Sequence, residues 1–134
     1  MTGETNLHIL LKTLDPVLDE RRFGFCAIER QSTPVLGFKP LGIFEEEEGA
    51  TIIATIAELE SADLKFSGPW AKIGLRVHSS LTAVGLTAAV ATALAGVGVS
   101  ANVVAGYYHD HVFVPWETRD KALAALRRLS AGEG

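Results

Sequence analysis

The feature that most constrains the fold is a run of 30 residues, 79–108, that contains no Asp, Glu, Lys or Arg. A run without charge is typical of a segment buried in a globular domain, in an interface or in a bilayer. A membrane-spanning helix needs about 20 apolar residues in succession, and here Gly85, Gly96, Gly98 and Gly106 interrupt a sequence rich in Ala and Thr. We therefore expect a buried segment of a globular protein and no membrane span.

The composition of the chain excludes several other classes of protein. Its 134 residues suffice for one compact domain or two very small ones. Because 48% of the residues are hydrophobic and 21% are charged, the chain is not disordered throughout. The net charge of −4 argues against a nucleic-acid binder, which presents a basic face. Cys26 is the only cysteine, so an internal disulfide is excluded, and the first residues lack the blocks of a signal peptide. We expect a soluble, cytoplasmic protein.

The first half of the chain has the residue patterns of two helices and three strands. Thr5 or Asn6 can cap the first helix, and Asp15-Pro16 ends it. The run Glu45–Glu48 is interpreted as a solvated hairpin tip rather than a cation site, because alternation points successive carboxylates to opposite faces. The predicted elements are a helix from residue 7, strands at 22–29, 41–45 and 50–54, and a helix at 56–62.

The second half has the pattern of a ferredoxin-like unit. Apolar and polar residues alternate over 70–78, which predicts a strand with one apolar face. Ser79 and Ser80 precede an Ala-rich segment and are predicted to cap a helix over 81–95. The order β-α-β-β-α is that of a split βαβ unit short of its last strand. The remaining predicted elements are strands at 99–107 and 111–114 and a helix at 119–129 capped by Thr118.

The helix predicted over 81–95 carries two apolar stripes, although a surface helix needs only one. We expect one stripe to pack on the sheet and the other on a second body, either the first half of the chain or another subunit. A low-polarity, Ala-rich helix is the alternative. One stripe consists of Leu81, Val84, Ala88, Ala91 and Ala95, and the nearly opposite one of Leu86, Val90, Leu94 and Val97.

Two segments of the chain resemble a known family. The segment Val77–Pro115 resembles the ACT domains, small-molecule-binding regulatory modules in which a strand leads into a loop with a glycine near the start of the first helix. The segment EEEEGATIIA, residues 45–54, is similar to the companion segment of short bacterial proteins with two ACT-like domains. The residues that carry the resemblance in the longer segment are Val77, Gly85, Gly98 and Asn102.

The resemblance implies a fold, an organisation and a function. The fold is α+β and ferredoxin-like (βαββαβ), duplicated in tandem as two ACT-like subdomains with antiparallel sheets, residues 1–68 and 69–134. The function is that of a non-enzymatic regulatory or sensor protein, paired in a homodimer, that binds an amino acid at an interface between ACT-like domains. No cofactor and no metal are expected.

The predicted ligand site is the loop of residues 79–85 with its surroundings. Hydroxyl groups and the free amides of a helix N-terminus suit the carboxylate end of a ligand. Regulatory ACT domains often carry an acidic residue before the loop glycine, and this loop has none, so capture of an ammonium group by a loop carboxylate is not expected. The predicted ligand-binding residues are His78, Ser79, Ser80, Leu81, Thr82, Val84, Gly85 and Asn102.

Two other interpretations stay open. The apolar helix could serve only for oligomerisation or for docking a partner protein, with a vestigial ligand site. His109 and His111 could join a further ligand around a transition metal and make the protein a metal-dependent enzyme. Two closely spaced histidines are a weak signal, however, and the sequence has no catalytic motif. Cys26 lies in a strand pattern and is expected to be a buried, unreactive thiol.

Overall fold

The computed structural model describes residues 3–29 and 36–133, and within them the chain is a mixed α+β structure. Most elements lie where the sequence patterns predict them. In chain order they are α1 (Leu7–Lys12), β1 (Pro16–Leu18), β2 (Phe23–Glu29), β3 (Gly42–Glu45), β4 (Gly49–Thr55), α2 (Ile56–Ser61), β5 (Ser67–Leu75), α3 (Leu86–Gly96), β6 (Asn102–Ala105), β7 (Asp110–Pro115), a 3-10 turn (Trp116–Thr118) and α4 (Arg119–Ser130).

The chain divides into two compact units, one of Arg21–Trp70 and one of Met1–Glu20 together with Ala71–Gly134. The division falls inside β5, two residues after the boundary predicted between 68 and 69. The first 20 residues cluster with the second half of the chain. The limits 1–68 and 69–134 for two ACT-like subdomains stay a prediction.

The unit Arg21–Trp70 is an antiparallel sheet with one short helix. Its strand order is β3-β4-β2-β5, and β3 and β4 form the predicted hairpin with Glu46–Glu48 at its tip. A capping box starts α2, because Glu58 N donates to Thr55 Oγ1 and Thr55 N donates to the Glu58 carboxylate. The buried core of this unit consists of Cys26, Ile28, Ile52, Ala54 and Leu59.

The other unit packs three helices against its strands. β1 pairs antiparallel with β5, β7 is the next strand beyond β5, and β6 pairs antiparallel with β7. Leu10 of α1, Leu94 of α3 and Leu126 of α4 are fully buried in one core with Ile73 and Val114 of the strands. Burying a Leu side chain stabilises a fold by about 1.5–3 kcal/mol. These contacts therefore fix α3 against the strands.

The structure corrects the predicted start of the long helix. β5 ends at Leu75 rather than at residue 78, and α3 begins at Leu86 rather than at residue 81. The residues between them, 76–85, form the β5–α3 loop. Gly85 is the N-cap of α3, with a φ of +99° that only glycine adopts readily. A Cβ at Gly85 would also lie 3.0 Å from the Leu7 side chain.

The serines that were predicted to cap α3 have other roles. Ser79 is buried in an isolated bridge to Glu4, seven residues before the helix begins. Ser80 closes a local turn, because its Oγ pairs with Thr82 Oγ1 at 2.8 Å and accepts from Thr82 N at 3.2 Å. Ser and Thr hydroxyls compete with helix formation in this way. The prediction that Ser79-Ser80 caps a helix was therefore wrong.

Two further element predictions differ in detail. β6 covers Asn102–Ala105 and not the longer span 99–107. Thr118 precedes α4 as predicted, but its side chain makes no cap and its hydroxyl donates to Pro115 O at 2.9 Å. The helix is amphipathic, as its sequence indicates, with Ala122 and Leu126 buried.

The two stripes predicted for the long helix have different surroundings. Leu86, Val90 and Leu94 are buried in the core. Ala91 and the other small residues of the opposite stripe on α3 are exposed, and Val84, which that stripe was expected to include, is 83% exposed in the preceding loop. That this second stripe packs on a second body, either the first half of the chain or another subunit, stays a prediction.

Candidate functional site

The β5–α3 loop is held in place by the start of the chain. Glu4 N donates to His78 O and Ser80 N donates to Glu4 O, each at 2.9 Å, so that Glu4 and Ser79 form a parallel bridge. A Cβ on Gly3 would lie 2.5 Å from the carbonyl carbon of Ser79, so this close approach requires glycine. The loop therefore has a fixed backbone although it contains no regular helix or strand.

A small cavity of about 60 Å³ lies beside this loop. That volume holds a few water molecules or one small polar group. Its walls come from the loop, from the first turn of α3, and from β6 and β7. The lining residues are Ser79, Ser80, Leu81, Ala83, Leu86, Thr87, Ala105 and Asp110.

Three of the eight predicted ligand-binding residues, Ser79, Ser80 and Leu81, line this cavity. The other five lie elsewhere. His78 is half-buried with its ring centroid 5.6 Å from that of Tyr108, and Asn102 is exposed at the start of β6. The remaining three, which belong to the loop without lining the cavity, are Thr82, Val84 and Gly85.

Asp110 is the charged residue of the cavity lining, and it was not among the predicted site residues. It is the first residue of β7, is 6% exposed and pairs with Ala105 of β6. Burial raises the pKa of its carboxyl, and the neighbouring His109 imidazole acts in the opposite direction. Within residues 3–29 and 36–133, no group donates a hydrogen bond to this carboxylate. The available signal was alternation, which places Asp110 on the same strand face as the buried Val112.

The two histidines beside Asp110 do not form a metal site with it. His109 Nδ1 lies 3.4 Å from Val77 O, and His111 belongs to the next position of β7, whose side chain projects to the opposite face. His111 Nδ1 is buried without a hydrogen-bond partner, and burial, Lys72 and His109 lower the pKa of this imidazole. In the part of the chain that the structure describes, no three potential metal ligands come together.

The cavity brings together groups of opposite electrostatic character. The first amides of a helix have no partner inside the helix and lie at the positive end of its dipole. Leu86 and Thr87 supply such amides, and the hydroxyl groups of Ser79 and Ser80 lie beside them in the cavity lining. The carboxylate of Asp110 belongs to another wall. The site can therefore offer donors to an anionic group and an acceptor to a cationic group.

Comparisons with known proteins identify the family of the chain. Two family models, each described as an ACT domain, match residues 2–71 and 67–128. A comparison with curated protein sequences returns no match. None of the helices in the described ranges is long and apolar enough to cross a membrane.

Solved structures share the fold of this chain. A Vibrio cholerae protein of unknown function, described as a possible transport protein, is 41% identical over 92% of this chain and 95% of its own, with a TM-score of 0.81. An Agrobacterium tumefaciens protein is 18% identical over 82% of this chain and 84% of its own, with a TM-score of 0.68.

The ligand-free regulatory subunit of aspartate kinase from Thermus thermophilus is 15% identical and covers 87% of this chain and 97% of its own, with a TM-score of 0.63. At this identity the likeness shows the fold, which is the predicted α+β, ferredoxin-like arrangement of two ACT-like subdomains. Because one family model alone spans more than half of the sequence and a second covers the remainder almost to its end, the chain belongs to the ACT-domain family.

Proposed function

We propose that this protein is a non-enzymatic regulatory protein that binds a free amino acid at the cavity beside the β5–α3 loop. Membership of the ACT-domain family and the fold shared with regulatory subunits of aspartate kinase support a regulatory role through a small ligand. The observation that carries the proposal is the placement of hydroxyl-bearing loop residues and the first turn of α3 around one cavity. A helix N-terminus with nearby hydroxyl groups binds carboxylates.

The predicted site residues enter this proposal in two groups. Ser79, Ser80 and Leu81 line the cavity and contact the ligand. The loop residues that shape it are His78, Thr82, Val84 and Gly85. Asn102, exposed and outside the cavity lining, is the predicted residue with the least support. The cytoplasmic location stays a prediction.

Binding would act by population shift. A ligand that contacts the β5–α3 loop, α3 and β7 at the same time favours the conformations in which these elements enclose it. The ligand can shift the equilibrium between two conformations of the protein only by the difference in its affinity for them. No chemical step is needed, so the protein would signal occupancy without turning the ligand over.

A thermal-shift screen with the twenty L-amino acids at millimolar concentration tests the proposal. A ligand at 100 times its Kd adds about 2.7 kcal/mol of stability, which corresponds to a rise in Tm of about 10 °C for a chain of this size. The D-enantiomer of each positive compound is the matched control. Absence of a stereospecific shift across the whole set contradicts amino-acid binding.

We also propose that the protein is a homodimer in which the exposed small-residue stripe of α3 faces a second copy. The same stripe favours the alternative of an interaction module with a vestigial ligand site. Substitution of Leu86 or Val90 by Glu cannot distinguish the ligand-binding protein from the interaction module, because both residues are in the core and a buried Glu would destabilise the fold itself. Ala91→Glu is suitable instead, with Ala124→Glu on the exposed side of α4 as control.

Analytical ultracentrifugation gives the outcome. If Ala91→Glu dissociates a dimer while amino-acid binding persists, the interface and the ligand site are independent. If it dissociates the dimer and no amino acid binds any form, the interaction module is the better description. A wild-type monomer contradicts the dimer proposal.

A further inference from the structure

Asp110 is a carboxylate placed where a folded protein rarely leaves one. The residue is 6% exposed, no donor among the described residues bonds to its carboxylate, and the carboxylate oxygens are not among the fully enclosed atoms. Burying an ionised group without a partner is unfavourable, and buried acids are as a rule paired or hydrogen-bonded. Asp110 is among the residues that line the cavity beside the β5–α3 loop. The partner of Asp110 is therefore to be sought in that cavity.

The walls of the cavity separate two kinds of group. Asp110 and its strand partner Ala105 supply the β6–β7 wall. The other wall is built from Ser80 and from Thr87 in the first turn of α3, which offer hydroxyl groups and unpaired helix amides. The Asp110 carboxylate, which accepts hydrogen bonds, therefore lines the same cavity of about 60 Å³ as the hydroxyl and amide donors.

We propose that the Asp110 carboxylate binds the ammonium group of the ligand, while the loop and the first turn of α3 bind its carboxylate. This inference rests on the proposed function. It assigns the group that binds the ligand ammonium, for which the β5–α3 loop has no acidic residue. A compound with an ammonium and a carboxylate on one carbon, the α-amino acid head group, fits both walls at once. The small volume accommodates that head group and leaves the ligand side chain outside, so the cavity recognises the class of compound rather than one member.

The neighbouring charges are consistent with this assignment. His109 is the titratable group that acts on Asp110, and it contacts Val77 O through Nδ1 instead of the carboxylate. A ligand ammonium has three N–H donors and would supply the charge-assisted hydrogen bonds that Asp110 lacks. A monovalent metal cation could meet the same carboxylate, and the test must separate it from an amine.

The experiment compares matched ligands on matched variants by isothermal titration calorimetry. The ligand pairs are L-alanine with L-lactate, L-aspartate with L-malate and L-leucine with L-2-hydroxyisocaproate, which differ only in ammonium against hydroxyl. The variants are wild type, Asp110→Asn and the control Asp120→Asn, which removes an exposed carboxylate from α4. We expect wild type and Asp120→Asn to prefer the amino acid about tenfold or more, and Asp110→Asn to lose that preference while its affinity for the hydroxy acid stays the same.

Each other result overturns the assignment in a distinguishable way. Amino acids that bind wild type and Asp110→Asn within twofold of each other leave the proposed function intact and remove Asp110 from the site. If every amino acid fails on wild type, the proposed function fails and this inference with it. An equal heat from KCl alone assigns the carboxylate to a metal cation. If Asp110→Asn does not fold, the wild-type ratio of amino acid to hydroxy acid still decides, because a ratio near one contradicts recognition of the ammonium.

Discussion

Replacing Asp110 with Asn should make the ligand-free protein more stable at neutral pH. Asn has nearly the same shape as Asp and replaces the charged carboxylate by a neutral amide, with one oxygen exchanged for an NH2 donor. Since the carboxylate is 6% exposed and has no donor among the described residues, the ionised form opposes folding. A substitution that weakens binding while it strengthens the fold is the signature of a residue kept for a ligand and not for structure.

The magnitude follows from the surroundings of the side chain. A buried polar group left without a partner costs about 1–3 kcal/mol, and more when it is charged. The positive end of α3, whose first turn shares the cavity with Asp110, offsets about 0.3–1 kcal/mol of this. The neutral amide retains the part of the cost that any polar group has, so a net gain of about 1 kcal/mol remains. For a chain of this length that gain raises Tm by about 4 °C.

The pH dependence of the gain gives the sharper assay. The pKa of Asp110 in the folded protein lies above its ordinary value of 3.8. The folded state therefore binds the proton more tightly, and the contribution of Asp110 is favourable below pH 3.8 and is lost as the pH rises through the folded pKa. Urea unfolding of both proteins between pH 4 and pH 7 should show the advantage of Asn growing with pH. An Asn variant that is less stable than wild type at pH 7 would refute the reasoning, because it would mean that the folded protein already pairs the carboxylate.

Three further predictions concern the backbone and the remaining buried groups. Gly85→Ala should destabilise the fold by about 1–3 kcal/mol, because φ at this residue is +99°. Gly96→Ala, at the end of α3 with open space around it, should be neutral or stabilising. Urea unfolding measures the free energy of unfolding of both variants. Cys26, which is 3% exposed and has its pKa raised by burial, should react with a thiol reagent only after unfolding, and rapid reaction in buffer would contradict this. Burial and Lys72 lower the pKa of His111, so its stabilising contribution is present above pH 6.5 and is lost as the pH falls; His111→Gln should reduce the loss of stability between pH 7 and pH 5.

The sequence predicts those elements whose signals act over a few residues. Asn6 caps α1, with Ile9 N donating to its side chain at 3.1 Å, and the Glu-rich hairpin tip lies between β3 and β4. Both depend on local chemistry, a capping side chain in one case and a turn between alternating strands in the other. Family membership was also within reach, because the residues around the β5–α3 loop follow a known pattern.

The start of α3 and the burial of Asp110 at the cavity could not be predicted from residues close in sequence. Ser79 and Ser80 have the composition of a helix N-cap, but a bond to Glu4, 75 residues away in sequence, fixes the loop in a different conformation. Asp110 stands in a polar-looking sequence between two histidines, where a solvated turn is the ordinary expectation. Only the pairing of β7 with β6 and the packing of α3 show that this residue is buried at the cavity.

The bridge between Glu4 and Ser79 also makes the start of the chain sensitive to occupancy. Both backbone groups of Glu4 are bonded to the loop, so any free energy that a ligand gives to the loop is shared with residues 3–5 by linkage. Under the proposed function, the amide hydrogens of Glu4 and Ser80 should exchange with solvent more slowly together when an amino acid is bound. Conversely, deletion of residues 1–4 should release the loop and weaken binding, although neither Gly3 nor Glu4 lines the cavity.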